Sequence, residues 1–345
     1  MDHVHAQVAV LKSRLAACAD DRGGLHLGDA CKQAIRSLLA GCGTADLHAL
    51  ATTDRVTEPC KASLWELLPA RDSHRSRVLV MGTARTRDGL DVYVAASDEH
   101  GEPAPLGTMQ LALEVNGRVE LVDGTPAAAM PSRCEAPIFA ASSILDYSGS
   151  MSDRDLDESI EIFRTLYAAV PDNCLETDVL VFSDDVRRRG GRMMRDRDAM
   201  LQAVARDPAM PRGTTALVDA LGDGARSTSK RPAPVRMLLV ATDGKENASQ
   251  RWSYADALRT AQAGGVRIIS FGSLLSDADF LERLGAETGG FFIYRADPRI
   301  LAAAAQTVGR LLASTRRIHI ADARLAAASH VIVEHGTQRE RVALR

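Results

Sequence analysis

The feature that most constrains the fold is an apolar run followed by small polar residues. Residues 136–141 read Ala-Pro-Ile-Phe-Ala-Ala, and residues 144–151 read Ile-Leu-Asp-Tyr-Ser-Gly-Ser-Met. An apolar run of this length, which ends in small polar residues and Gly ahead of a helical pattern, is typical of a buried parallel strand that leads into a helix. The stretch therefore predicts an α/β unit.

Three oxygen-bearing side chains stand at alternate positions of this stretch: Asp146, Ser148 and Ser150. Ligands of open α/β sheets bind at the carboxyl ends of the strands, so we expect the three side chains to converge there. One carboxylate and two hydroxyls are hard oxygen ligands, of the kind that Mg²⁺ prefers. Because Ser and Gly also fill ordinary turns, the triplet alone is a weak indication of a metal site.

Two further stretches carry side chains of the same kind. Residues 213–217, Gly-Thr-Thr-Ala-Leu, place hydroxyls in a loop ahead of a helix predicted over 216–225, and residues 239–244, Leu-Val-Ala-Thr-Asp-Gly, are a second apolar strand ending in Asp-Gly. Together with the triplet, in this order and at these separations, they resemble the metal-ion-dependent adhesion site (MIDAS) of the von Willebrand factor type A (VWA) family. The resemblance covers about residues 137–313, roughly half of the chain.

This resemblance implies a Rossmann-like VWA domain over residues 136–314, with a doubly wound, mostly parallel, six-stranded sheet. It implies five metal-site residues: Asp146, Ser148, Ser150, Thr215 and Asp243. The hydroxyls are expected to bind the ion directly or nearly so, and the two carboxylates to hold it, often through water. Thr214 is the alternative to Thr215, which matches better because it directly precedes Ala-Leu. The expected ion is Mg²⁺, with Mn²⁺ and Ca²⁺ as alternatives.

Strand patterns flank this region on both sides. Four runs between residues 77 and 122 alternate or run apolar, separated by turn signals that include Arg-Asp-Gly at 87–89 and Asn-Gly at 116–117. Three further β segments follow the last predicted helix and have no place in a VWA sheet. We therefore expect residues 316–345 to return to a β-sandwich formed by residues 76–135, with the α/β domain inserted into it or flanked by it.

Part of the sandwich region carries a second, looser resemblance. Residues 98–103, Asp-Glu-His-Gly-Glu-Pro, and the stretch 111–117 resemble the small β region that precedes the VWA domain in many bacterial secreted members. Before it, residues 1–72 are predicted to form a small helical region, because apolar residues recur there at helical spacing. The sequence does not indicate a function for that helical region.

Charge and hydropathy bear on the partners. The 42 basic and 45 acidic residues give a net charge of −3, without a global bias towards nucleic acid or an anionic membrane. A basic run at 187–192, Arg-Arg-Arg-Gly-Gly-Arg, suits an acidic partner or nucleic acid. Without interleaved aromatic residues for base stacking, we interpret it as a solvated loop. We expect no nucleic-acid partner, and no apolar run is long enough for a membrane span.

The six cysteines bear on the compartment. None of them forms a Cys-x-x-Cys pair, which disfavours zinc-ribbon and thioredoxin-like sites. Cys134 and Cys174 lie just before the first two strands of the VWA pattern, which are parallel neighbours in the family's sheet, so a disulfide could join them. Two buried free thiols are the alternative. We expect disulfides and an extracytoplasmic location (periplasm or cell surface), with a leader absent from this numbering; a cytoplasmic location is the alternative.

The charge of the expected ligand set predicts binding rather than catalysis. Asp146 and Asp243 offset a divalent cation, whereas hydroxyls are neutral, so the ion keeps a position held only by water. In the VWA family an acidic side chain of a partner protein takes that position. All nine histidines lie outside the α/β region, which leaves no obvious general base for an enzyme. We predict metal-dependent protein binding, as in adhesion or scaffolding. The alternatives are a cytosolic adaptor for a MoxR-type AAA+ ATPase and a structural protein with a vestigial site.

Overall fold

The computed structural model describes residues 71–344 except for 108, 211, 243–245, 274–275 and 296–299. The helical region predicted over residues 1–72 lies almost wholly outside the described residues. Its last two residues, Arg71–Asp72, form a short strand rather than a helix.

Strands and helices follow one another in clear succession. The strands are β1 (Arg71–Asp72), β2 (Val78–Arg85), β3 (Leu90–Ala96), β4 (Met109–Val115), β5 (Arg118–Val122), β6 (Thr125–Ala128), β7 (Phe139–Asp146), β8 (Leu175–Phe182), β9 (Val186–Met194), β10 (Val235–Ala241), β11 (Val266–Gly272), β12 (Phe291–Tyr294), β13 (Arg316–Ile320), β14 (Ala328–His335) and β15 (Gln338–Ala343). The helices are α1 (Asp153–Ala169), α2 (Arg197–Val204), α3 (Leu217–Thr228), α4 (Tyr254–Gly264), α5 (Ala278–Thr288) and α6 (Leu301–Ala313).

A β-sandwich takes strands from both sides of the α/β region. One four-stranded sheet has the order β2-β3-β13-β6, and the other has the order β15-β14-β4-β5. The prediction of an α/β domain inserted into or flanked by a β-sandwich is therefore confirmed. Strands β6 and β13, which lead into and out of the α/β region, are antiparallel neighbours. The β4–β5 hairpin turns at Asn116 and Gly117, whose φ angles of 51° and 76° are those that an Asn-Gly turn requires.

The α/β domain is built on one mixed sheet with the order β1-β12-β11-β10-β7-β8-β9. Strands β12, β11, β10, β7 and β8 are parallel, and β9 runs antiparallel to β8 at one edge. The predicted six-stranded, mostly parallel sheet is present, and β1 adds a seventh strand, antiparallel to β12. Helices α1 and α6 bury apolar side chains against one face and α3 and α4 against the other, as in a doubly wound fold. Within the described residues, no helix is long and apolar enough to cross a membrane.

The basic run predicted as a loop is part of a strand instead. Arg187, Arg188 and Arg189 lie in β9 and pair with residues 179–181 of β8. A run of Arg and Gly lacks the apolar alternation of a half-buried strand, but the backbone edge of β8 supplies hydrogen-bond partners whatever the side chains are. The prediction of a loop was therefore wrong.

Cys134 and Cys174 form a disulfide, with their Cα atoms 4.9 Å apart, so the predicted pairing is confirmed. The bond lies at the amino ends of the parallel neighbours β7 and β8, where Ile138 N donates to Cys174 O at 3.0 Å. The other four cysteines lie outside the described residues. The disulfide fixes the base of the sheet at the end opposite the loops that follow Asp146.

The sandwich and the α/β domain share one hydrophobic core. Leu79 and Met81 on β2 belong to the same buried cluster as Phe139 and Met237 of the α/β sheet. Each such side chain contributes about 1.5–3 kcal/mol when it is fully buried. This continuous packing fixes the α/β domain on the sandwich.

A buried ion pair also crosses the boundary between the two parts. Arg267 Nη1 on β11 lies 3.2 Å from Glu340 Oε1 on β15. Arg267 Nε donates to Met81 O at 3.1 Å, and Glu340 Oε2 accepts from Val80 N at 2.5 Å. Burial lowers the pKa of Arg267 and raises the pKa of Glu340, while each charge opposes the shift of the other.

Candidate metal site

The first loop of the candidate site is shaped by the side chain of Asp146. This residue ends β7 and is fully buried, and its Oδ1 accepts a hydrogen bond from Ser148 N at 2.7 Å. The turn brings Ser148 Oγ to 3.0 Å from Ser150 Oγ. Ser148 is buried and Ser150 is exposed. The three side chains predicted from the triplet therefore lie together at the carboxyl end of the strand.

A capping box ends this loop and begins helix α1. The Ser152 hydroxyl accepts from Asp155 N at 3.1 Å, and the Asp155 carboxylate accepts from Ser152 N at 3.1 Å. These bonds satisfy backbone N–H groups that the first turn of a helix leaves unpaired. The backbone around Ser150 is therefore fixed from both sides, by Asp146 before it and by the cap after it.

The second loop holds Thr214 and Thr215 in different surroundings. Thr215 is buried, and its N–H donates to Asn247 Oδ1 at 2.7 Å, while its carbonyl accepts from Asn247 N at 3.1 Å. Thr214 is exposed, and both its N–H and its hydroxyl donate to Asp184 Oδ1, at 2.6 and 2.5 Å. The Thr214 hydroxyl is thus already engaged, which favours Thr215 as the metal-site residue.

Hydrogen bonds join the first loop to the second loop and to a third loop, which begins at Thr242 after β10. Gly149 N donates to Gly213 O at 2.7 Å, which draws the second loop against the first. Thr242, which directly follows β10, donates from its Oγ1 to Asp146 Oδ2 at 2.5 Å. Asp243, the next residue, lies outside the described residues. Its place in the site remains a prediction, but the loop that carries it begins directly beside Asp146.

The sequence did not assign roles to Thr242 or Asn247. Thr242 had a usable signal, because it is a hydroxyl at the end of an apolar strand, directly before Asp243. Asn247 had none, because its contact with Thr215 forms only when two loops 32 residues apart meet in the fold.

The electrostatics of Asp146 favour a bound cation. Burial raises the pKa of Asp146 above its ordinary value, against the opposing effects of hydrogen bonds from Ser148 and Thr242 and of the Arg212 charge. Arg212 itself donates to Met151 O at 2.6 Å and to Asp153 Oδ1 at 2.7 Å. Across the part of the chain that the structure describes, Asp146 has no ion-pair partner. A fully buried carboxylate is costly unless a cation offsets it.

The donor set fits a hard divalent cation. It combines a buried carboxylate with hydroxyls, all of them oxygen donors. Among the described residues, those of this site included, no group of three or more His, Cys, Asp or Glu side chains could hold a metal ion. The oxygen donors of this site are instead mostly hydroxyls, which follow the carboxyl end of β7 and lie in the loop before α3.

Comparison with known proteins agrees with this fold. The model of the von Willebrand factor type A domain family matches residues 143–306. No curated protein sequence matches the chain.

Several solved structures resemble the chain. One is a von Willebrand factor type A protein from Catenulispora acidiphila, with 13% identity over 79% of this chain and 70% of that chain and a TM-score of 0.47. Another is proximal thread matrix protein 1 from the mussel byssus with a zinc-occupied MIDAS motif, with 16% identity over 53% and 49% and a TM-score of 0.43. A third is the vWF domain of the type V pili tip protein Mfa5 from Porphyromonas gingivalis, with 12% identity over 51% and 94% and a TM-score of 0.38. The family match and the observed sheet identify residues 143–306 of this chain as a von Willebrand factor type A domain.

Proposed function

We propose that the protein binds a divalent cation through Asp146, Ser148, Ser150, Thr215 and Asp243, and that it binds an acidic side chain of another protein there. The observation that carries the proposal is the fully buried Asp146 carboxylate with the Ser148 and Ser150 hydroxyls directly after it. When bound, the cation supplies a coordination position that a carboxylate can occupy in place of water. Mg²⁺ is the proposed ion, and Mn²⁺ and Ca²⁺ are the alternatives.

The chain's own residues prepare this site before any ion binds. The Asp146 carboxylate orients Ser148 by accepting a hydrogen bond from the Ser148 N–H, and the Asn247 side chain holds Thr215 by accepting from the Thr215 N–H. Two carboxylates balance the double charge of the ion, and the neutral hydroxyls add none. Hydroxyls are also weak donors, so the ion stays electrophilic, and a carboxylate that can take its open coordination position is favoured over a basic side chain.

The same residues support binding rather than catalysis. All nine histidines lie outside residues 136–314, so an activated serine there would have no histidine base from its own domain. Tyr167 donates a hydrogen bond to the Ser143 hydroxyl at 2.7 Å and is fully buried. Burial raises the pKa of Tyr167, which disfavours the deprotonated form that a general base needs. We propose that the protein is not an enzyme.

The disulfide bears on where the binding takes place. Bonds of this kind persist in oxidising compartments and are rare in the cytosol. The Cys134–Cys174 bond therefore supports a protein of the periplasm or cell surface over a cytosolic adaptor for a MoxR-type AAA+ ATPase.

Titration calorimetry with MgCl₂ tests the metal site directly. The wild-type protein, stripped with EDTA and dialysed, should bind one Mg²⁺ per chain, and Asp146→Ala should bind none. Asp198→Ala is the matched control, because Asp198 is an exposed carboxylate in the first turn of α2, outside the three loops. Equal Mg²⁺ binding by all three proteins would refute the site.

The partner is tested in the same set of proteins. A pull-down from the native source should retain the partner in Mg²⁺ and lose it in EDTA or with Asp146→Ala, while Asp198→Ala retains it. Mutating single acidic residues of the captured protein then locates the carboxylate. A partner retained equally in EDTA and with Asp146→Ala would contradict metal-bridged binding even if the ion binds.

A further inference from the structure

A basic groove lies between the edge strand β9 and the C-terminal half of α3. It encloses about 560 Å³, and its floor includes the apolar side chains Leu180 and Val186. The groove is lined by five cationic side chains: Arg188, Arg192, Arg226, Lys230 and Arg231. Two of these cations lie on the strand, and the other three lie on the helix or just beyond it.

The groove carries a large excess of positive charge. Among the described lining residues, Asp223 is the only carboxylate, and it already accepts from Arg226 at 2.7 Å, from Trp252 Nε1 at 3.1 Å and from Arg251 at 2.8 Å. Five cations and one carboxylate leave a formal charge of +4 on the lining, in a chain whose net charge is −3. The basic side chains are thus concentrated here rather than reflecting the overall balance of the protein.

On the β9 side of the groove, Arg188 is held in place by a buried carboxylate. Arg188 Nη2 lies 2.9 Å from Oδ2 of Asp178, which is fully buried. Asp178 also accepts from the hydroxyls of Ser142 at 2.5 Å and Ser227 at 2.9 Å. This buried network orients Arg188 before any ligand binds, which lowers the entropy lost on binding.

Three of the remaining four cations are available to a ligand. Arg192, Lys230 and Arg231 have no ion-pair partner within the described chain. Arg226 lies over the Trp252 ring at 5.0 Å, which limits its motion. Arginine presents a planar fork of donors that matches a carboxylate in two parallel hydrogen bonds.

We propose that this groove binds an extended acidic segment of another polypeptide. Cations on two facing walls match carboxylates spaced along a chain, and the apolar floor can accept the aliphatic stems of that chain. Phosphate sites commonly use backbone N–H groups at helix N-termini, whereas this groove lies beside the C-terminal end of α3 and offers charged side chains instead. The described lining includes no aromatic side chain on which nucleic-acid bases could stack.

The proposal is tested with a fluorescein-labelled oligo-glutamate peptide, with anisotropy measured in EDTA so that the metal site makes no contribution. The wild-type protein should bind the peptide saturably, and the affinity should fall steeply with added NaCl. Arg192→Glu/Lys230→Glu should weaken binding by roughly tenfold or more. Arg87→Glu/Arg118→Glu, which reverses two exposed cations of the sandwich, changes the net charge equally and should leave the affinity unchanged.

Circular dichroism establishes that each variant folds. If the charge reversal does not fold, Arg192→Gln/Lys230→Gln removes the same charges with less repulsion and should still weaken binding. Equal losses in the groove variant and the sandwich control would overturn the proposal, because net charge alone would then account for binding. Tighter binding of tripolyphosphate or of a single-stranded oligonucleotide at the same residues would overturn it in favour of a phosphate-bearing ligand. A failure here leaves the Mg²⁺ titration of Asp146→Ala unaffected, so the two proposals fail separately.

Discussion

The Asp146 carboxylate is fully buried, so its negative charge lowers the stability of the metal-free protein. Asp146→Asn keeps the shape, and its amide can accept from Ser148 N and donate to the Thr242 hydroxyl. In EDTA we therefore expect the variant to have a free energy of unfolding about 1 kcal/mol higher than the wild type. Urea denaturation in EDTA and in MgCl₂ checks this: the ion should stabilise only the wild type. Equal stabilisation of both proteins by Mg²⁺ would count against Asp146 as a metal-site residue.

Asn247 offers a second test at the residue scale, because its role is to position another residue. Asn247→Ala removes the acceptor for the N–H of buried Thr215, which costs about 1–2 kcal/mol when no other acceptor replaces it. We expect weaker Mg²⁺ binding by calorimetry together with lower stability. Asn247→Asp keeps the acceptor oxygen and should retain most of the affinity. If Asn247→Ala loses stability but binds Mg²⁺ as tightly as the wild type, Thr215 is not held for the metal.

At this scale the sequence predicted what lies close along the chain. Asp146, Ser148 and Ser150 stand at alternate positions after a strand, so their convergence follows from the end of that strand. The contact of Thr242 with Asp146 spans 96 residues, and it depends on β10 lying beside β7. Such contacts are decided by the order of the strands in the sheet, which cannot be read from the residue pattern of a single stretch.

At the scale of elements, the disulfide joins the starts of β7 and β8 and closes a loop with a sequence separation of 40. Cross-linking a loop of this length restricts the unfolded chain and raises the free energy of unfolding by about 4 kcal/mol in the chain-entropy estimate. We therefore expect Cys134→Ser/Cys174→Ser to lower that free energy by about 2–4 kcal/mol. Urea denaturation under oxidising conditions measures the difference. A change below about 1 kcal/mol would show that packing at the sheet's base replaces the cross-link.

Some elements follow from their residues and others do not. The Asn116–Gly117 hairpin is a local device, because both residues tolerate the positive φ that the turn requires. Strand β9 does not follow from its own residues, because its Arg and Gly residues form a strand only by hydrogen bonding to the edge of β8. Helix α2 was not predicted, although Asp196 caps it by accepting from Ala199 N at 2.9 Å. Eight residues span little more than two turns, which is too short a stretch for a helical period to be recognised.

At the scale of the whole molecule, the Arg267–Glu340 pair tests how firmly the α/β domain is fixed to the sandwich. Glu340→Gln can keep the acceptor for Val80 N but leaves the buried Arg267 charge unpaired. We expect a loss of about 3 kcal/mol in the free energy of unfolding. Arg267→Met/Glu340→Gln removes both charges and should be more stable than Glu340→Gln alone. Chemical denaturation of the three proteins measures this, and a double variant less stable than the single one would contradict it.

The antiparallel β6 and β13 sit next to each other where the α/β domain leaves its host. The two ends of the α/β domain are therefore held side by side in one sheet of the sandwich. Strand β13 is held on its other side by β3, with paired residues from Arg316–Val94 to Ile320–Leu90. We expect a partner that pulls on the metal-site loops to load this sheet at the entry and the exit of the domain together, rather than through a single strand.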